Sequence, residues 1–217
     1  VLPCIILSMW TSSSVNSTFN KYAKVMSYRH ITGAEAAQRV LTANGVRGVR
    51  IERVSGNLTD HYDPKTNVIR LSDSVYNSTS VAAIGVACHE AGHAVQYAQS
   101  YAPIKLRAAI IPATGVASRL AVPLVLFGTV LSFYARGLLS LAYAGIILFG
   151  ICVLFQLITL PVEFNASRRA RQILSSERIL SEREIAGTAK VLNAAAMTYV
   201  AALATSVLQL IRLLGYV

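Results

Sequence analysis

The sequence predicts a mainly α membrane protein with one small α+β domain and a transmembrane helical hairpin. Three observations predict it. The 217 residues are 54% apolar and only 14% charged, with a mean hydropathy of +0.51, which is more apolar material than a soluble core of this size can hide and far too much for a disordered tail. Three apolar runs approach or exceed the length needed to cross a ~30 Å hydrocarbon core. A single long polar stretch, residues 17–107, mixes helical and strand patterns. A freely soluble protein is not expected.

Residues 1–10 are apolar, but ten residues make only about 15 Å of helix. Segment 1–16 is therefore read as a partial first transmembrane helix, with a signal peptide as the alternative, although no basic n-region or small-residue cleavage site is visible. Residues 17–107 form the α+β domain. Within it, Thr32-Gly33-Ala34-Glu35 is a capping box, opening a helix that Asn44-Gly45 should stop. Val49, Ile51 and Val54 suggest a strand, and residues 61–71 read as strand, turn and strand about Asp63-Pro64. An Ala-rich helix follows from about Ser80 to Gln99. The expected order is helix, small antiparallel sheet, helix.

Segment 108–162 reads as the hairpin. Its second arm, 138–162, has no formal charge and one amide, Gln156. Its first arm, 108–134, is interrupted by Pro112 and Pro123 and carries Arg119, a costly charge that either lies near the interface or faces a wet cavity. Ala135, Arg136 and Gly137 form the turn. Segment 163–193 is polar and helical, with a second capping box at Ser181-Glu182-Arg183-Glu184. Segment 194–217 is the last span, whose Arg212 can reach the far interface.

The net charge of +10 suggests either nucleic acid or a membrane. Position decides between them: of 20 Lys and Arg, 11 fall in 17–107 and 6 in 163–193. Two crossings separate those segments, so they share one side, which the positive-inside rule makes the cytoplasm. No basic patch interleaved with aromatics remains, and nucleic acid is not an expected partner. Cys4, Cys88 and Cys152 are scattered, forming neither a disulfide framework nor a Cys-x-x-Cys pair. They read as small core residues.

His89-Glu90-Ala91-Gly92-His93 matches H-E-x-x-H inside the predicted Ser80–Gln99 helix, which is the context this motif needs. Residues four apart share a helix face, so both imidazoles can reach one Zn²⁺, while Glu90 lies beside them to handle a water at the metal. Two alternatives compete: unrelated histidines on a surface helix, and a zinc site without catalysis. Structural sites are usually closed by four protein ligands and rich in Cys, which this pattern is not.

A third ligand must come from elsewhere. Gln96 and Gln99 occupy the positions where H-E-x-x-H-x-x-G-x-x-H needs Gly and His, which excludes the metzincin pattern and points to a downstream carboxylate. Glu163 lies where the 138–162 span ends, with Ala166, Ser167 and Ala170 on its helical face. A carboxylate among apolar and small neighbours needs a partner. It either pairs with Arg168 or Arg169 at the interface or, emerging on the side that holds His89 and His93, completes the zinc site. We favour the latter.

These residues resemble the YugP-like neutral zinc metallopeptidases of bacterial membranes, through residues 17–22, Thr59-Asp60-His61-Tyr62-Asp63-Pro64, His89-Glu90-Ala91-Gly92-His93 and residues 160–167. The chain is also distantly similar to the CAAX-prenyl-protease and HtpX type of gluzincin, in which a Glu of an E-F/Y-x-A-D stretch is the third zinc ligand. That similarity carries over to Glu163. Here Ser167 stands in place of the Asp, so Asn165 or Ser167 is expected to orient a ligand histidine instead.

His61 is a further catalytic candidate, able to steady an oxyanion, against the plainer reading of a hydrogen-bonded hairpin histidine. The strand Val68, Ile69, Arg70 and Leu71 is expected to serve as an edge that pairs with an extended substrate. Together these readings imply a multi-pass protein of the bacterial inner or plasma membrane, a zinc metalloendopeptidase acting on peptides or membrane proteins at the cytoplasmic face. Possible partners include a membrane protein complex. The alternative is a zinc-stabilised membrane scaffold or adaptor that does not cleave.

Overall fold

The computed structural model describes residues 2–217. Among them the chain is mainly helical, with one three-stranded sheet, and it forms two compact units.

One unit holds the residues up to Ser8, Ala102–Pro161 and Thr198–Val217. Among the described residues, three helices are long and apolar enough to cross a membrane: α5 (Ala102–Ser132), α6 (Leu139–Ser176) and α7 (Glu182–Leu214). Pro112 and Pro123 lie inside α5 without ending it. In this unit a Cβ on Gly145 would sit 2.6 Å from the Ala121 carbonyl oxygen, and Gly128 meets Ala142 as closely. Small residues thus let the backbones of α5 and α6 approach, which is how apolar helices gain packing where burial from water offers nothing. A short 3-10 turn, Arg136–Leu138, joins them.

Helix α6 carries the apolar run and the helical segment expected after it as one element, through Pro161 to Ser176, so Glu163 sits on the same helix as the apolar run. Nothing after Pro161 supplies a helix stop, and the residues beyond are adequate helix formers. Helix α1 spans Leu2–Tyr22, well past the ten apolar residues that suggested it. Two of its polar side chains turn back onto the helix, Asn16 Nδ2 donating to the Ser12 carbonyl at 3.1 Å and Ser17 Oγ to that of Ser14 at 3.1 Å. Val1, where the segment begins, lies outside the described residues.

The other unit holds Met9–Tyr101 and Val162–Met197. Helix α2 (Gly33–Ala43) starts on the expected capping box, Thr32 and Glu35 each accepting from the other's backbone N–H. It ends at Asn44, and Gly45 takes φ +67°, a left-handed conformation that glycine adopts freely. Strands β1 (Arg50–Val54), β2 (His61–Asp63) and β3 (Val68–Ser72) follow, then a one-turn helix α3 (Asp73–Tyr76) and α4 (Val81–Ala98), capped by Ser80.

The sheet is mixed rather than antiparallel. Its order is β1-β3-β2, with β3 antiparallel to β2 but parallel to β1. The chain between β1 and β2 must therefore cross the end of β3, and two carboxylates tie it there. Asp73 accepts from Arg53 Nε at 2.6 Å and from Gly56 N–H at 3.3 Å. Asp60 accepts from Ser72 N–H at 2.7 Å and Ser72 Oγ at 3.0 Å. Local periodicity carries no sign of such a crossing.

The core of this unit gathers α2, β3 and α4 with the polar-side lengths of α6 and α7. Ala82, Ala83, Ala87, Ala91 and Ala94 on α4 are all buried, and their small side chains allow neighbours to come close. A Cβ on Gly85 would lie 2.6 Å from Thr188 Cγ2 of α7. The second capping box is only half formed: Glu184 accepts from the Ser181 N–H and Oγ, leaving the Ser181 hydroxyl facing the carboxylate instead of the helix.

Candidate metal centre

His89 and His93 lie one turn apart on α4, their rings edge to face with centroids 4.7 Å apart. Glu163 reaches them from α6 with a side chain only 2% exposed; its Oε2 is 3.2 Å from His89 Nε2 and 3.5 Å from His93 Nε2. The ligand atoms of the three residues lie within 4.8 Å of one another.

Gly92 is what lets the two helices meet. A Cβ there would stand 2.8 Å from the Ala166 carbonyl oxygen and 3.3 Å from Ala166 Cα. One helical turn below Ala166, that same approach carries Glu163 to the imidazoles.

The donor set fits zinc. Zn²⁺ takes His nitrogen and carboxylate oxygen at about 2.0–2.2 Å in a tetrahedron, which puts neighbouring donors about 3.4 Å apart, and the two separations from Glu163 bracket that value. A buried carboxylate also demands compensating positive charge, which a cation between the three groups would supply. Burial opposes a charged His93 ring, yet its hydrogen bond with Glu163 and the charges of Glu90 and Glu163 together raise its pKa above the ordinary histidine value.

The far side of each imidazole is also held. Ser167 Oγ lies 3.1 Å from His89 Nδ1, and Gln96 Oε1 lies 3.0 Å from His93 Nδ1. Ser167 therefore touches a candidate ligand directly. Asn165 does not: its Oδ1 accepts from Gln96 Nε2 at 2.9 Å and from Arg169 Nε at 2.7 Å. Arg169, which could have paired with Glu163, instead serves Asn165 and Gln99.

Glu90 is partly exposed on α4, and its charge acts on His93 and on Asp60. Burial raises the Asp60 pKa; its bonds from Ser72 oppose that, and the like charge of Glu90 reinforces it. Gln96 is the residue at the site whose role the sequence did not signal. Gln96 entered only as a mismatch to the longer metalloprotease pattern, although lying three residues after His93 places it beside that ring.

Two other candidates stand elsewhere. His61 is exposed on β2, with Nδ1 2.8 Å from the Thr59 carbonyl, and is not part of the three-residue cluster. That is the geometry of a hydrogen-bonded hairpin histidine. Val68, Ile69, Arg70 and Leu71 form the central strand, paired on both sides, so the expectation of an open edge here is corrected. Val68, Ile69 and Leu71 are fully buried, and Arg70 reaches Asp63 at 3.3 Å and Glu52 at 3.9 Å. Nothing in the strand's own residues distinguishes centre from edge, because the crossover chose its place. Arg119 is exposed on α5.

Comparison with known proteins gives two findings. A family described as "Putative neutral zinc metallopeptidase" matches residues 1–217. The chain is 50% identical over 206 residues to "Putative membrane protease YugP" of Bacillus subtilis (strain 168), covering 95% of this chain and 89% of that protein. No solved structure matches.

Proposed function

Because this chain belongs to the family of neutral zinc metallopeptidases, we propose that it is a membrane-embedded zinc endopeptidase of the gluzincin kind, hydrolysing peptide bonds at the cytoplasmic face of the bacterial plasma membrane. The observation that carries the reading is the buried Glu163 carboxylate, 3.2 and 3.5 Å from the Nε2 atoms of the H-E-x-x-H histidines.

In this reading His89, His93 and Glu163 hold the metal. Zinc bound there supplies Lewis acidity, lowering the pKa of a water toward ~7 and polarising a carbonyl. Glu90 moves the proton: its carboxylate takes it from the attacking water and delivers it to the leaving amine. Ser167 and Gln96 orient the imidazoles. Three helices apolar enough to cross a membrane support a site at the bilayer, where peptide or membrane-protein substrates would be met, and the basic residues of 17–107 and 163–193 support a cytoplasmic side.

The test uses the full chain in detergent or liposomes, with zinc content and cleavage of unstructured peptides and membrane proteins measured together. Glu90→Gln should retain one zinc per chain and lose about 10²–10⁴-fold in kcat. Zinc retained without any Glu90-dependent cleavage would instead favour a zinc-stabilised scaffold.

A further inference from the structure

We propose that Gln96 is the positioning residue for His93, and that a hydrogen-bond relay ending at Arg169, together with the Val162 carbonyl, sets which way its amide faces. This deepens the zinc-site reading above and rests on it.

The direction of the relay follows from what each group can do. Arg169 can only donate, so the Asn165 atom 2.7 Å from its Nε is the carbonyl oxygen. The same oxygen lies 2.9 Å from the Gln96 amide, whose facing atom must then be the nitrogen. The Val162 carbonyl oxygen, 2.8 Å away, makes the same demand. Both N–H bonds of Gln96 are now used, leaving Oε1 to face His93 Nδ1 at 3.0 Å. An amide oxygen only accepts, so Nδ1 carries the hydrogen. The lone pair of the neutral ring therefore sits on Nε2, the atom that faces Glu163.

The arrangement has two consequences. Gln96 is fully buried, so reversing its amide would set N–H against N–H and oxygen against oxygen at a position closed to bulk solvent. A neutral amide also adds no further anion to a cluster that already contains buried Glu163 and nearby Glu90. His89 is held differently, because the Ser167 hydroxyl at its Nδ1 can rotate to donate or accept. The relay thus dictates one imidazole and leaves the other adjustable. Arg169 is anchored for this role by Gln99 Oε1 at 2.5 Å and by the Tyr101 ring, 5.9 Å from its guanidinium carbon.

The experiment measures zinc affinity of the metal-free full chain by chelator competition, with the visible absorption of the cobalt(II)-loaded protein as a report of ligand geometry. Gln96→Met should weaken zinc about 10–100-fold and alter the cobalt spectrum. Arg169→Met, remote from the ligands, should weaken it about 2–10-fold, and this loss should vanish in the Gln96→Met background. Arg169→Lys, which still donates, should restore most of it, with the thermal midpoint of the metal-free protein unchanged between the two Arg169 variants. Wild type failing to bind zinc would overturn the metal site itself. Tight wild-type binding with Arg169→Met and Gln96→Met both within about twofold, or losses that simply add, would overturn the relay alone.

Discussion

Glu163 is the residue on which the site turns, since a carboxylate 2% exposed is tolerable only beside positive charge. Glu163→Gln keeps the shape but removes the anion; zinc measured after dialysis should fall well below one per chain at concentrations that saturate the wild type. Asp60 gives a different kind of prediction. Burial raises its folded pKa, so its contribution to stability is present below the unfolded value, near 3.9, and is lost as pH rises through the folded value. Asp60→Asn should therefore raise the thermal midpoint at pH 7, and the gain should shrink toward zero below about pH 4, where both forms are neutral. An equal gain at both pH values would count against burial of the charge as the cause.

Helix packing decides whether those residues meet. A Cβ at Gly92 would press on the Ala166 backbone, which cannot swing aside as a side chain can. Gly92→Ala should cost about 1–3 kcal/mol and, by pushing α6 outward, abolish zinc binding even though all three ligands remain. Circular dichroism with zinc titration would show it. Thr32→Ala removes one half of the α2 capping box and should cost about 1 kcal/mol without touching zinc affinity. The contrast separates helix stability from helix approach. The cap is local and was legible in the sequence, as was the H-E-x-x-H face. The Gly92–Ala166 contact was not, because a glycine inside a helix pattern does not reveal which backbone comes near it.

For the whole molecule, zinc held as proposed would join α4 to the polar length of α6, so the metal should stabilise the folded unit that contains both. At free zinc about 1,000 times its Kd, the gain is about 4 kcal/mol. Chelation should lower the thermal midpoint of the purified protein in detergent, and added zinc should restore it, whereas Glu163→Gln should show neither response. The proposed orientation is testable by labelling: a cysteine placed at Thr66 should react from the cytoplasmic side of sealed vesicles, and one at Gly137 from the other.

The sequence alone determined the apolar helices, the capped start of α2, the start of α4 near Ser80, and the pairing of His89 with His93, because each depends on spacing of a few residues along one element. It also singled out Glu163, through its place at the end of an apolar run. Only the tertiary structure decided that β3 is the central strand, that Gly92 admits the backbone of Ala166, and that Val162 and Asn165 turn the Gln96 amide toward His93. Each of these depends on chain segments far apart in sequence: a loop crossing the end of a strand, and two helices admitted to close contact by one missing side chain. Periodicity records the face a residue presents; what meets that face is set by packing.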